Sequence, residues 1–166
     1  MVVNHPLTLK FSHEINKNCP LCTMFIGRHY HQIENKGRLA IPAQFRRQLQ
    51  SGGVITRGLD GCLFLFPDSY WQKLSKKLAS LPLTNRSARQ FIRLLVQSAT
   101  PLSLDKQGRT LLPQYLRDQA NLKKQVVVAG ALTRIEIWDK DHYHQHIDKV
   151  TRQIDKIDDQ LAELDI

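Results

Sequence analysis

Two arginines in this chain stand where a guanidinium group can leave the tip of a hairpin. Arg38 follows Glu34-Asn35-Lys36-Gly37, and Arg109 follows Asp105-Lys106-Gln107-Gly108. In each four-residue turn the glycine tolerates a positive φ at little steric cost, and the acidic residue at its head can accept turn amides. An arginine leaving such a tip presents a planar fork of N–H donors that matches a phosphate, or the O6 and N7 edge of guanine. Lys36 and Lys106 lie inside the same turns and add unspecific attraction for phosphate, as could Arg28, Arg47 and Arg57. The chemistry implied is ionic recognition of a phosphate polymer.

The turns belong to a longer repeat. Gly37, Arg38, Pro42 and Arg46 recur as Gly108, Arg109, Pro113 and Arg117 at one constant offset (108 − 37 = 71), with Glu34 over Asp105 and Ile33 and Ile41 over Leu104 and Leu112. After one inserted residue, Val54-Ile55 recur as Val126-Val127, Gly58 as Gly130, Leu63 and Leu65 as Ile135 and Ile137, and Phe66 as Trp138. A repeat of this length is one supersecondary unit used twice. Each copy reads as strand, tight turn, strand, short helix, two strands and longer helix. Pro42 and Pro113 suit the first turn of the short helices, where a missing N–H is harmless. The β-rich runs 54–56, 63–66, 126–128 and 135–138 read as hairpins, with Gly58-Leu59-Asp60-Gly61 or Gly130 in the connecting turns. Arg46 and Arg117 have two readings: support for the arginine motif, or ion pairs tying each short helix to its turn through Glu34 and Asp105.

The remaining helices must cover these sheets. Trp71, Leu74, Leu78 and Leu81 recur three or four apart, and Ser87 to Ala99 carries Phe91, Leu94, Leu95 and Ser98 on one face. Asp139 and Asp141 suit the start of the last helix. There Tyr143, Ile147, Val150, Ile154, Ile157, Leu161 and Leu164 alternate spacings of four and three, a heptad seam that packs against its own domain or against a helix of another subunit.

Bulk properties narrow the class. A chain of 166 residues with 42% apolar content can build one domain or two small units sharing a core. A formal charge of +9 attracts phosphate polymers and anionic surfaces. Three cysteines, an odd number, argue against a disulfide framework and favour the cytoplasm. The apolar run from Val126 to Leu132 is far short of the roughly 18 residues of a membrane helix. Residues 1–23 lack periodicity, so a disordered or non-native leader is expected there, with Met24 the natural start, followed by units at 24–100 and 101–166.

Other constellations are weaker. Cys19, Cys22, His29 and His31 formally offer four zinc ligands, but one CxxC is a poor signal and His29 and His31 lie on the first strand. His142 and His146, four apart, could share a metal, which makes a metal-dependent enzyme the reading from a different class. No HExxH, GxSxG or Gly-rich phosphate loop accompanies them. Cys62 reads as a small buried residue. Binding without cofactor or metal is favoured over turnover.

The doubled phrase ENKGRLAIP (34–42) and DKQGRTLLP (105–113), with MFIG (24–27), LFLFP (63–67) followed by Trp71, and IEIWD (135–139), resembles the MraZ family over about residues 24–166. The resemblance implies an α+β fold of the AbrB-like type, in which hairpins of two copies interleave into a small pseudo-twofold barrel. It also implies a transcriptional regulator, usually a repressor of the division and cell wall gene cluster that includes its own gene. Such proteins assemble as homo-oligomeric rings and bind short repeats in promoter DNA, here in the cytoplasm and on the nucleoid. The motif carries over as Glu34 with Arg38 and Asp105 with Arg109. The family's first acidic residue is normally aspartate, and the longer Glu34 caps a turn less well. An AbrB-like antitoxin and a ring scaffold with incidental charge are the alternatives.

Overall fold

The computed structural model of the chain describes residues 24–153; the expectations for residues 1–23, including Cys19 and Cys22, and for Ile154, Ile157, Leu161 and Leu164 lie outside them. The first copy runs β1 (Arg28–Gln32), β2 (Arg38–Ala40), α1 (Ala43–Arg46) with a following 3-10 turn (Arg47–Leu49), β3 (Gly53–Arg57), β4 (Leu63–Pro67), α2 (Asp68–Ala79) and α3 (Arg86–Val96). The second runs β5 (Thr100–Leu102), β6 (Arg109–Leu111), α4 (Gln114–Gln119), β7 (Gln125–Ala131), β8 (Arg134–Asp139) and α5 (Lys140–Thr151). This is the order the doubled pattern predicts.

The copies interleave. One sheet has the order β1-β7-β8-β4-β3-β5, so strands of different copies are neighbours at β1–β7, β8–β4 and β3–β5. A second sheet is the antiparallel pair β2–β6, where Arg38 faces Leu111, Leu39 faces Thr110 and Ala40 faces Arg109. Exchanging the copies maps that register onto itself. The β4–β8 pairing behaves likewise, with Leu63 opposite Ile137 and Leu65 opposite Ile135. The result is an α+β fold of two tandem swapped-hairpin units.

Strand periodicity places the core. Leu63 and Leu65 point inward with Leu39, Ile41, Phe45, Leu112, Ile135 and Ile137. Phe64 and Phe66 point the other way, joining Trp138, Leu78, Leu95 and Tyr143. Both faces of β4 are therefore covered, which is why its sequence is apolar throughout rather than alternating. Edge strand β1 alternates exposed and half-buried residues instead. The α3 helix is tied down by the buried Thr56 hydroxyl, which donates to the Leu95 carbonyl (2.6 Å). Leu81 lies beyond the end of α2, and Phe91 is exposed while Ile92, Leu94 and Leu95 carry the packing of α3. In α5, Tyr143 is buried against Trp138, but Ile147, the next residue of the heptad seam, is exposed.

Gly130 is not the turn residue its position suggested. It lies within β7, and the β7–β8 turn is made at Leu132, whose φ is 58°. The segment before β1 crosses directly over Gly130, with Phe25 N–H donating to the Leu132 carbonyl (2.8 Å) and Gly130 N–H to the Gly27 carbonyl (2.8 Å). A Cβ at Gly130 would sit 2.4 Å from the Phe25 carbonyl carbon, so the crossing requires glycine. Gly130→Ala should lower unfolding free energy by about 1–3 kcal/mol, the usual range for overpacking. Chemical denaturation checks this, and an unchanged midpoint would contradict the crossing.

Candidate nucleic-acid interface

Both arginine turns close in the same way. Gly37 N–H donates to the Glu34 carbonyl (2.8 Å) and Glu34 N–H to the Arg38 carbonyl (2.8 Å); the equivalent Gly108–Asp105 and Asp105–Arg109 bonds are 2.9 and 2.8 Å. Gly37 and Gly108 have φ of +76° and +74°, a region that disfavours side chains. Two reciprocal bonds then fasten each turn to the other copy: Ile41 N–H to the Gly108 carbonyl and Leu112 N–H to the Gly37 carbonyl, both 2.9 Å. The two tips thus project from one short ribbon, β2–β6, rather than from independent domains.

Arg46 and Arg117 lock this arrangement, though not by the ion pairs that the sequence allowed. Arg46 Nε donates to the Ile41 carbonyl (2.7 Å), and Arg117 Nε to the Leu112 carbonyl (3.1 Å). Their guanidinium groups lie over the other copy's turn glycine: a Cβ at Gly108 would come within 2.3 Å of Arg46 Nε, and one at Gly37 within 3.0 Å of Arg117 Nη2. Among the described residues neither pairs with Glu34 or Asp105. Each carboxylate faces its turn or Arg109, while the helix arginine approaches from the opposite copy. The conjunction of glycine and arginine at the 71-residue offset is therefore a packing requirement across the copies.

The two tip arginines differ. Asp105 Oδ1 accepts the Gln107 and Arg109 amides, both at 2.9 Å, and its Oδ2 accepts Arg109 Nε at 2.9 Å. Those bonds, led by the Arg109 backbone amide, hold the Asp105 carboxyl below its ordinary pKa. Arg109 Nη1 also lies 3.3 Å from Glu34 Oε1, leaving its side chain 24% exposed. Arg38, Lys36 and Lys106 are exposed and make no ion pair among the described residues. Glu34 caps no turn amide there, as its extra methylene suggested, and reaches across to the second turn instead.

Among the described residues none of the weaker constellations is hydrogen-bonded to the tip residues. His29 lies against Gln44 (2.7 Å) and edge-on to Phe45, and burial, with lesser help from His29 and Arg46, pushes the His31 pKa down. His142 and His146 both pack on Trp138, with ring centroids 5.6 and 4.9 Å away. Among the described residues no three His, Cys, Asp or Glu side chains gather as a metal site would require. Cys62 is buried, and burial pushes its thiol pKa well up. Asp139 caps α5 by accepting from the Asp141 and His142 amides, while Asp141 lies in the first turn. One feature went unnoticed in the sequence: α2 and α3 carry Lys73, Lys76, Lys77, Arg86, Arg89 and Arg93 with Asp68 as the one acidic residue between 61 and 104. A running charge count would have found it.

The profile described as "MraZ protein, putative antitoxin-like" matches residues 24–94 and again residues 95–164. The chain belongs to the MraZ family. Similar proteins, each named transcriptional regulator MraZ, come from Moorella thermoacetica (44% identical), Alkaliphilus metalliredigens (46%) and Clostridium tetani (41%), each over 143 residues that make up 86% of this chain and 100% of the relative. No described helix is long and apolar enough to cross a membrane.

Two outcomes follow from the MraZ-type ribbon. Arg46→Ala or Arg117→Ala should each destabilise the fold by about 1–2 kcal/mol by leaving a part-buried carbonyl unpaired, whereas Arg38→Ala stays within about 0.5 kcal/mol; denaturant midpoints compare them. Because the folded-state pKa of Asp105 is lowered, its contribution is present above the usual carboxylate range and lost as pH falls through the folded value. An NMR titration of the Asp105 carboxyl should therefore give a midpoint below that of an unperturbed aspartate, and a midpoint at or above it would contradict the turn geometry.

Proposed function

We propose that the chain is a sequence-specific DNA-binding transcriptional regulator whose hairpin arginines Arg38 and Arg109 contact the DNA, with Lys36 and Lys106 neutralising adjacent phosphates. One observation carries this reading: two arginine-bearing tips from two copies stand on a single ribbon, with four cations against two carboxylates. The exposed Arg38 fork is free to meet a phosphate or a guanine edge. The relatives' name, transcriptional regulator, supports regulation as the purpose of that contact. Phosphate contacts would position the protein and the arginine forks would supply base discrimination.

The resemblance adds finer detail to the proposal. The chain represses the division and cell wall gene cluster that includes its own gene by occupying short promoter repeats as a ring, in the cytoplasm at the nucleoid. Each unit, 24–100 and 101–166, contributes one tip. Apolar surface supports assembly with further copies: Ile147 on α5 is exposed, as are Met24, Ile26 and Leu132 around the Phe25–Leu132 bridge. Several tips acting together would multiply weak single contacts through effective concentration. The words "antitoxin-like" in the matched description favour one second reading, an antitoxin, which a co-purifying toxin would support.

The double variant Arg38→Ala/Arg109→Ala tests the site. Duplexes selected by the wild-type protein from a random pool should lose their advantage over a scrambled duplex, with melting temperature and oligomer size unchanged. The salt dependence of binding should also weaken by roughly two phosphate or base contacts per chain, about 0.9 in slope for each phosphate neutralised. A double variant that still preferred the selected duplex would sink the assignment.

A further inference from the structure

Pseudo-symmetry predicts that Arg38 and Arg109 behave alike, and they do not. Arg109 donates Nε to Asp105 of its own turn and Nη1 to Glu34 of the opposite turn, 3.3 Å from Oε1 and 3.5 Å from Oε2. Arg38 has no such partner among the described residues. A guanidinium group carries five N–H donors, so Arg109 keeps one on Nη1 and both on Nη2. Three donors therefore remain for an incoming acceptor. Arg109 is therefore held without being used up. Arg38 must give up its rotamer freedom when it binds, whereas much of that freedom in Arg109 is already lost.

The differing work of the two carboxylates isolates the cause. Asp105 accepts two amides of its own turn and shapes it. Glu34 accepts none among the described residues, so its contact with Arg109 is not a by-product of turn capping. A carboxylate on a phosphate-facing surface repels every duplex alike, which gives the charge and the contact opposite signatures. We propose that Glu34 is a specificity-determining positioning residue: from the opposite hairpin it orients the Arg109 fork, so that Arg109 discriminates between sequences while the unheld Arg38 contributes chiefly affinity. This rests on the DNA-binding reading above.

The test measures affinity of the full chain for a duplex selected by the wild-type protein and for a scrambled duplex of the same composition. Glu34→Ala should not weaken binding to the scrambled duplex, because it removes a negative charge. It should lower the selected-to-scrambled ratio by up to about fivefold, the scale of an exposed ion pair. Glu34→Gln, which keeps an oxygen that can accept from Nη1, should fall between Glu34→Ala and wild type. In an Arg109→Ala background Glu34→Ala should change the ratio no further. The proposal is overturned if Glu34→Ala raises both affinities equally and leaves the ratio intact, or if it lowers the ratio just as much without Arg109. A wild-type protein that selects no sequence would instead sink the DNA-binding reading, and this inference with it. Melting curves of the exposed-site variants confirm that the fold is retained.

Discussion

The reciprocal pair of backbone bonds between β2 and β6, Ile41 to Gly108 and Leu112 to Gly37, is the constraint on which the rest of the molecule depends. Each bond joins the end of one copy's strand to the turn glycine of the other. Each tip is closed by bonds within its own turn and then tied to the other copy. Arg46 and Arg117 close the arrangement from outside by taking the Ile41 and Leu112 carbonyls and covering those glycines. A larger residue at either glycine would meet an unfavourable φ and a guanidinium group together. The core follows from the same interleaving, because Leu39, Ile41 and Leu112 on and beside the ribbon pack against Leu63, Leu65, Ile135 and Ile137 of the larger sheet.

Much of this was legible in the sequence, for a physical reason. A repeated glycine, proline and arginine at one offset reports local chemistry, namely a left-handed turn position, a helix start and a cation, and such features need no knowledge of distant contacts. The places of β3, β4 and β8 followed from β-rich runs, whereas β7 runs on past its run through Gly130 to Ala131; the continuous apolar stretch of β4 is explained by helices on one face and the main core on the other. What periodicity could not supply was placement between copies. Arg46 and Arg117 lie near their own turns in sequence, so an ion pair with Glu34 or Asp105 was a reasonable local expectation. The fold instead brings each one over the opposite copy's glycine. Gly130 misled in a similar way: its need for a bare α-carbon arises from the Phe25 segment crossing above it, a contact between residues more than a hundred positions apart.

The largest difference between pattern and structure is the broken symmetry at the tips. Duplicated turns suggest duplicated roles, yet one glutamate in place of an aspartate leaves the first turn uncapped by its own side chain and sends that carboxylate to Arg109. The pair is exposed and individually weak, so it adds little to folding. In the proposed DNA-binding role its effect would lie in what each arginine brings to a polyanion: Arg38 unpaired among the described residues, Arg109 already oriented. A protein built from two copies can in this way assign different parts of recognition to equivalent residues without changing its fold.

Hydrogen–deuterium exchange of the full chain, with and without a duplex selected by the protein itself, tests the central claim that both tips meet the DNA from one ribbon. The account predicts slower exchange in both turns, residues 34–38 and 105–109, on adding that duplex, and no such change with a scrambled one. Unchanged exchange in both turns, with protection confined to the basic surface of α2 and α3, would contradict it.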